Sequence, residues 1–110
     1  MKIAIYQIVP EQDTNRVIFR NMEFVSEKNG GHIPAEIYEC VYSGIVNANT
    51  LEDVFTVFNI YHPAGYRGRS LTASDVVEII GADGNSSFFF CDSFGFKRVS
   101  FVKEKTSGRE

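Results

Sequence analysis

The chain has 110 residues, a formal net charge of −3, two cysteines, no tryptophan and ten phenylalanines, which fits one domain with a single modest, phenylalanine-rich core. The charge excludes bulk binding to a phosphate backbone, which needs a strongly basic face, and also wholesale DNA mimicry, which needs many more carboxylates on one surface. No apolar run reaches the roughly 18 residues that span a bilayer, and the alternating start at residues 3–9, ended by Pro10, is not a secretory leader.

Residues 2–9, KIAIYQIV, place Ile3, Ile5 and Gln7 on one side and Ala4, Tyr6 and Ile8 on the other. Such a strand is apolar on nearly both faces and belongs inside a sheet. Residues 10–14 are a polar turn, and residues 15–20 are expected as a second strand. Residues 21–28 read as a short helix, capped by Asn21 and stopped by Asn29-Gly30-Gly31. Pro34 pushes Ile33 toward extended geometry, and residues 36–43 alternate Tyr38, Cys40 and Tyr42 against Ile37, Glu39 and Val41 as a strand. Thr50 opens the clearest helix. Leu51, Val54, Phe55 and Phe58 recur at helical spacing, and Asp53 stands where a capping box places its acid.

Residues 59–74 show little periodicity, with Pro63, Gly65 and Gly68 spread through them. A loop that long in a small domain is functional or disordered. Tyr61, Tyr66, Arg67 and Arg69 give it the aromatic and arginine content that protein interfaces favour, with Lys97 and Arg98 as further candidates for the same partner-binding patch. Residues 75–80 and 87–91 are two strand-forming runs around GADGN, whose Asp83-Gly84 supplies the positive φ of a tight hairpin. Phe94-Gly95-Phe96 interrupts the pattern, and residues 97–101 resume it with Val99 and Phe101 inward, completing a three-stranded meander. Residues 104–110 are expected as a flexible polar tail outside a domain spanning 1–103.

Chemistry-bearing groups are sparse. His62 and His32 are the only imidazoles, and a His bonded in a turn accounts for His62 better than a catalytic base paired with Asp75 or Asp92. Asp92-Ser93 lacks an elbow motif around the serine, so it reads as a turn. The two cysteines, Cys40 and Cys91, are too few and too separated for a metal cluster, and free thiols in a reducing cytoplasm fit better. No metal, cofactor or catalytic residue is assigned, and the chain is expected not to be an enzyme. Ser74 and Asp75 are expected to fix the turn into the following strand by bonds to backbone.

The strings GRSLTASDVV (residues 68–77) and FCDSFGF (residues 90–96) resemble the two signature segments of the YodL-like family, small domains of Firmicutes and their mobile elements. The helix at 50–58 and the string NIYHP at 59–63 resemble what precedes those segments in the family. Arg69 stands where the family commonly has His, so no role of that His carries over.

Together these readings predict an α+β domain: an antiparallel sheet of four or five strands, with the helix at 51–58 and the one at 21–28 packed on one face. The resemblance implies a cytoplasmic, non-enzymatic accessory protein of a mobile element that binds and inhibits a host machine. An anti-CRISPR inhibitor of a type II RNA-guided nuclease, blocking guide-RNA loading or effector assembly, is the foremost expectation. An antagonist of an actin-like cell-shape protein is one alternative. The other is an RNA-cleaving enzyme using His62 with Arg67 or Arg69.

Overall fold

In a computed structural model of the chain, which describes residues 1–106, the first strand forms the middle of the molecule. The elements in order are β1 (Lys2–Ile8), α1 (Met22–Lys28), β2 (Tyr38–Ile45), α2 (Leu51–Ile60), β3 (Val76–Ile80), β4 (Ser86–Cys91) and β5 (Phe96–Val99). The five strands form one antiparallel sheet in the order β2-β1-β3-β4-β5. Every residue of β1 from Ile3 to Ile8 is buried, as its two apolar faces require.

Those two faces carry separate cores. Ala4, Tyr6 and Ile8 join Tyr38, Val76, Phe90 and Phe101 on one side, where Val25 of α1 packs. Ile3 and Ile5 join Val41, Leu71 and Val77 on the other, where Val54 and Phe58 of α2 pack. The fold is therefore α+β with an antiparallel sheet, but the expectation that both helices share one face is corrected. A sheet whose central strand is apolar on both sides must cover both, and each helix takes one.

Local signals placed the elements well. Thr50 accepts from the Asp53 amide at 3.0 Å while the Asp53 carboxylate accepts from the Thr50 amide at 3.2 Å, a closed capping box at the start of α2. Asn21 caps α1 by accepting from the Phe24 amide at 2.9 Å. In the hairpin between β3 and β4, Gly84 has φ +86° and its amide donates to the Gly81 carbonyl at 2.9 Å.

Residues 15–20 are not a strand. The Asp13 carboxylate accepts from the amides of Val17 and Ile18, both at 2.9 Å, and Arg16 and Phe19 take positive φ, so the segment's backbone is bonded to a side chain and not to a neighbour in the sheet. Of the segment expected as a flexible tail, Glu104 and Lys105 belong to a closing turn that Thr106 caps, and residues 107–110 lie outside the described residues. That turn, Lys103–Lys105, is tied down: Lys103 Nζ lies 2.8 Å from the carboxylate of Glu78, which is buried and also accepts from Tyr6 at 2.8 Å and from Ser86. Burial works to raise the Glu78 carboxyl, but these donors outweigh it and hold it below the ordinary range. No helix among the described residues is long and apolar enough to cross a membrane.

Candidate partner-binding surface

The long loop between α2 and β3 is held by one polar residue of the otherwise apolar β1. Gln7 is buried, and its side-chain carbonyl accepts from the Arg69 amide at 2.9 Å. Its amide donates toward the Arg69 carbonyl at 3.0 Å, Asp75 Oδ2 at 3.1 Å and the Tyr66 hydroxyl at 3.2 Å. Gly68 passes so close that a Cβ there would sit 2.5 Å from Gln7 Oε1 and 2.8 Å from Val41 Cγ2, which explains a glycine at this step. Asp75 Oδ2 also accepts from the Thr72 amide at 2.8 Å, and Asn59 accepts from the Leu71 amide at 2.6 Å. Asp75 thus fixes the turn into β3 as expected, but Ser74 does not: its Oγ accepts from the amide of distant Phe19 at 3.0 Å and ties the 13–20 segment to the turn instead.

Asp75 is fully buried, and one of its oxygens, Oδ1, has no hydrogen-bond partner among the described residues, as is also true of Arg69 Nε. Burial pushes the Asp75 carboxyl up to about 7 against the opposing pull of the Thr72 and Gln7 bonds and the Arg69 charge.

Two of the interface candidates are engaged within the chain itself. The Tyr66 hydroxyl donates to the Arg69 carbonyl and its ring packs edge-on to Phe58 with centroids 5.0 Å apart. The Arg69 guanidinium donates to the Ile8 carbonyl at 3.1 Å and lies over the Phe19 ring. Both side chains turn inward to satisfy the protein's own groups. Arg67 instead stays exposed and, among the described residues, reaches only the Cys40 carbonyl on β2, at 3.4 Å. Lys97 and Arg98 lie exposed on β5, at the opposite edge of the sheet from β2. Four strand spacings of about 4.8 Å separate those edges by roughly 19 Å, so the six candidates do not form one patch.

What the structure assembles near Tyr61 and Arg67 is a groove along β2. In β1, Ile5 pairs with Tyr42 and Tyr6 with Cys40, leaving Val41 as an extra residue, and this bulge lets Val41 and Tyr42 both join the α2-side core. Between Tyr42 and α2 runs an open depression of about 640 Å³, lined in part by Ile45, Val46, Val57, Tyr61 and Pro63. A second depression of about 390 Å³ continues past Tyr42 along the edge to Ala64, Gly65 and Arg67. Ile45 is 77% exposed and Tyr61 71% exposed, an apolar rim with a cation at one end. Ile45 was not among the interface candidates. It sits at the end of an edge strand whose far side is unpaired, and the edge position was not legible before the strand order was known.

His62 is exposed with its ring 5.5 Å from that of Tyr66, and it forms no ion pair or hydrogen bond among the described residues. Burial raises both thiols, Cys91 up to about 12, so neither is a ready nucleophile. No three His, Cys, Asp or Glu side chains among the described residues come together in a way that could hold a metal ion.

Among known protein families, the model of one, described as YodL-like domain, matches residues 2–101. No curated protein matches the chain. No solved structure matches it either.

Proposed function

The chain belongs to the YodL-like domain family, and from that premise we propose that it is a non-enzymatic inhibitor that binds a host protein machine through the groove along β2. The target we assign is a type II RNA-guided nuclease, blocked at guide-RNA loading or effector assembly. This follows the expectation that small YodL-like proteins of mobile elements act on host machinery.

The observation that carries the reading is the exposure of Ile45, Tyr61 and Arg67 beside two adjoining open depressions along β2, whose lining mixes apolar side chains with Asn47, Asn49, Asp53 and Thr56. Aromatic and arginine side chains beside a desolvated pocket are the usual anchors of a protein interface. The net charge of −3 supports covering a protein surface over holding nucleic acid. That His62 forms no ion pair or hydrogen bond with a carboxylate among the described residues favours binding over RNA cleavage.

Capture of the purified nuclease on immobilised protein, with and without guide RNA, tests this. The apo-nuclease is expected to be retained, guide RNA is expected to compete, and Tyr61→Asp with Ile45→Asp is expected to abolish retention. Equal retention by the double variant would remove the groove from the account, and no retention of the nuclease in either state would remove the target.

A further inference from the structure

Two groups of opposite charge sit in the loop ahead of β3, each with an unmatched buried atom. Asp75 is fully buried, and its Oδ2 joins loop to sheet through bonds from the Thr72 amide and from Gln7 of β1. Its Oδ1 has no hydrogen-bond partner among the described residues. Arg69, six residues earlier, is near enough for its charge to act on the carboxyl, yet its guanidinium is turned to the Ile8 carbonyl and the Phe19 ring. Its buried Nε is likewise unmatched among the described residues. A donor and an acceptor that would satisfy each other are thus both left open inside the protein, where polar groups ordinarily find partners.

The segment beneath Arg69 is strained. Phe19, whose ring lies under the guanidinium, and Ser74, which precedes Asp75, both have positive φ, at +67° and +82°. They are also bonded to each other, the Phe19 amide donating to Ser74 Oγ at 3.0 Å. Linked outliers of this kind occur where a backbone stores strain and a second arrangement lies within reach. Phe19 is 52% exposed, so contact with its ring can be broken without opening the core.

We propose that Asp75 Oδ1 is the seat of a two-state switch, holding a proton in the arrangement described here and the Arg69 guanidinium in the other. In the first state the carboxyl is neutral and Arg69 stays over Phe19. Loss of the proton leaves a bare charge in the interior, and the Arg69 side chain swings from the Phe19 ring to Oδ1 to pair with it. The Arg69 backbone is tied to Gln7 through both its amide and its carbonyl. The loop therefore stays docked in both states, and the change that reaches the surface is the uncovering of the Phe19 ring.

The titratable and charged groups that face Asp75 are Arg69 and Tyr66 from the loop, Tyr38 from β2 and Cys91 from β4, while β1 contributes the uncharged Gln7. Beyond Tyr38, Asp13 keeps its carboxylate on the Val17 and Ile18 amides. Burial pushes Tyr38, Tyr66 and Cys91 upward, so they stay neutral while Asp75, lifted to about 7, titrates. The proton is held below that pH and lost above it. The switch does not depend on the function proposed above.

Nuclear magnetic resonance of the full isotopically labelled chain, titrated from about pH 4.5 to 9, tests the proposal. The Asp75 carboxyl carbon is expected to titrate at or somewhat below about 7, well above its ordinary 3.8. Over the same roughly two pH units the Arg69 side-chain protons are expected to lose the ring-current shift imposed by Phe19, and exchange of the Nε proton to slow at least about tenfold relative to a free guanidinium. Asp75→Asn retains every other titrating group and is expected to keep Arg69 over Phe19 at each pH. Arg69→Gln is expected to raise the Asp75 midpoint by at least about one unit. Arg69 signals that stay constant while Asp75 titrates, or that move as far in Asp75→Asn, overturn the proposal. So does an Asp75 that titrates in the ordinary carboxylate range, a result the wild type gives without either variant.

Discussion

Replacing Asp75 by Asn gives the sharpest test of how the long loop is held. The carboxyl is fully buried, its Oδ2 bonds Thr72 and Gln7, and its Oδ1 has no partner. Asn keeps the accepting oxygen and removes the charge. Burial lifts the folded carboxyl from its ordinary 3.8 to about 7, and at ~1.36 kcal/mol per pH unit that gap amounts to ~4 kcal/mol. Because the folded form holds the proton more tightly, Asp75 costs nothing below about pH 4, its cost grows as pH rises to about 7, and it is constant above that. The groups around it are Arg69, Tyr38, Tyr66 and Cys91, of which Arg69 lowers the carboxyl and the other three are themselves pushed upward. Those three stay neutral across the window. Without tryptophan, urea unfolding is followed by far-ultraviolet circular dichroism for both proteins between pH 4 and 8. The stability of Asp75→Asn relative to wild type should rise by roughly 3 to 4 kcal/mol across that range and flatten above about pH 7. Taking the difference removes the opposite pH trends of Glu78 and Asp92, whose depressed carboxyls stabilise the fold above the ordinary carboxylate range and lose that effect as pH falls. Two parallel curves would refute the buried, charge-penalised carboxyl.

Three further substitutions probe separate joints. Gly68→Ala places a Cβ against Gln7 and Val41, so it should cost about 2 kcal/mol and speed hydrogen exchange of the Arg69 amide, and an unchanged exchange rate would show that Gln7 does not hold the loop. Lys103→Met strips the cation from buried Glu78, with an expected loss of about 2 kcal/mol near pH 7. That is less than for a fully buried pair, because the lysine side chain is 41% exposed, and a denaturation midpoint equal to the wild type would contradict it. Thr50→Ala opens the capping box of α2 and should cost about 1 kcal/mol by the same assay.

Much of the fold was legible because local chemistry decides it. The Thr50 and Asp53 box, the Asp83-Gly84 turn and the Asn21 cap each specify a backbone geometry within a few residues. Residues 15–20 misled because Asp13, outside the segment, takes its amides. The face chosen by α1 is a long-range choice that its own pattern leaves open, although the double-sided apolar β1 already implied that both faces would be covered. In the loop, Tyr66 and Arg69 looked like interface residues because the partner they share, Gln7, lies more than fifty positions away on β1. The signal that could have found this is Gln7, a polar residue in an apolar strand that has to be satisfied by something. Phe94 was read only as a break in alternation. It is 91% exposed, in a turn that a hydrogen bond from the Met22 amide to Asp92 joins to α1, seventy residues away in sequence.

The central claim, that this YodL-like domain binds its target and does no chemistry on it, is tested most directly by titrating the protein into a type II nuclease before guide loading and measuring DNA cutting alongside the integrity of the guide RNA. The account predicts that cutting falls in step with the molar ratio, that the RNA stays intact, that Tyr61→Asp relieves the block and that His62→Ala does not. Complete inhibition at sub-stoichiometric protein with shortened RNA, or undiminished cutting at a large excess, would contradict it.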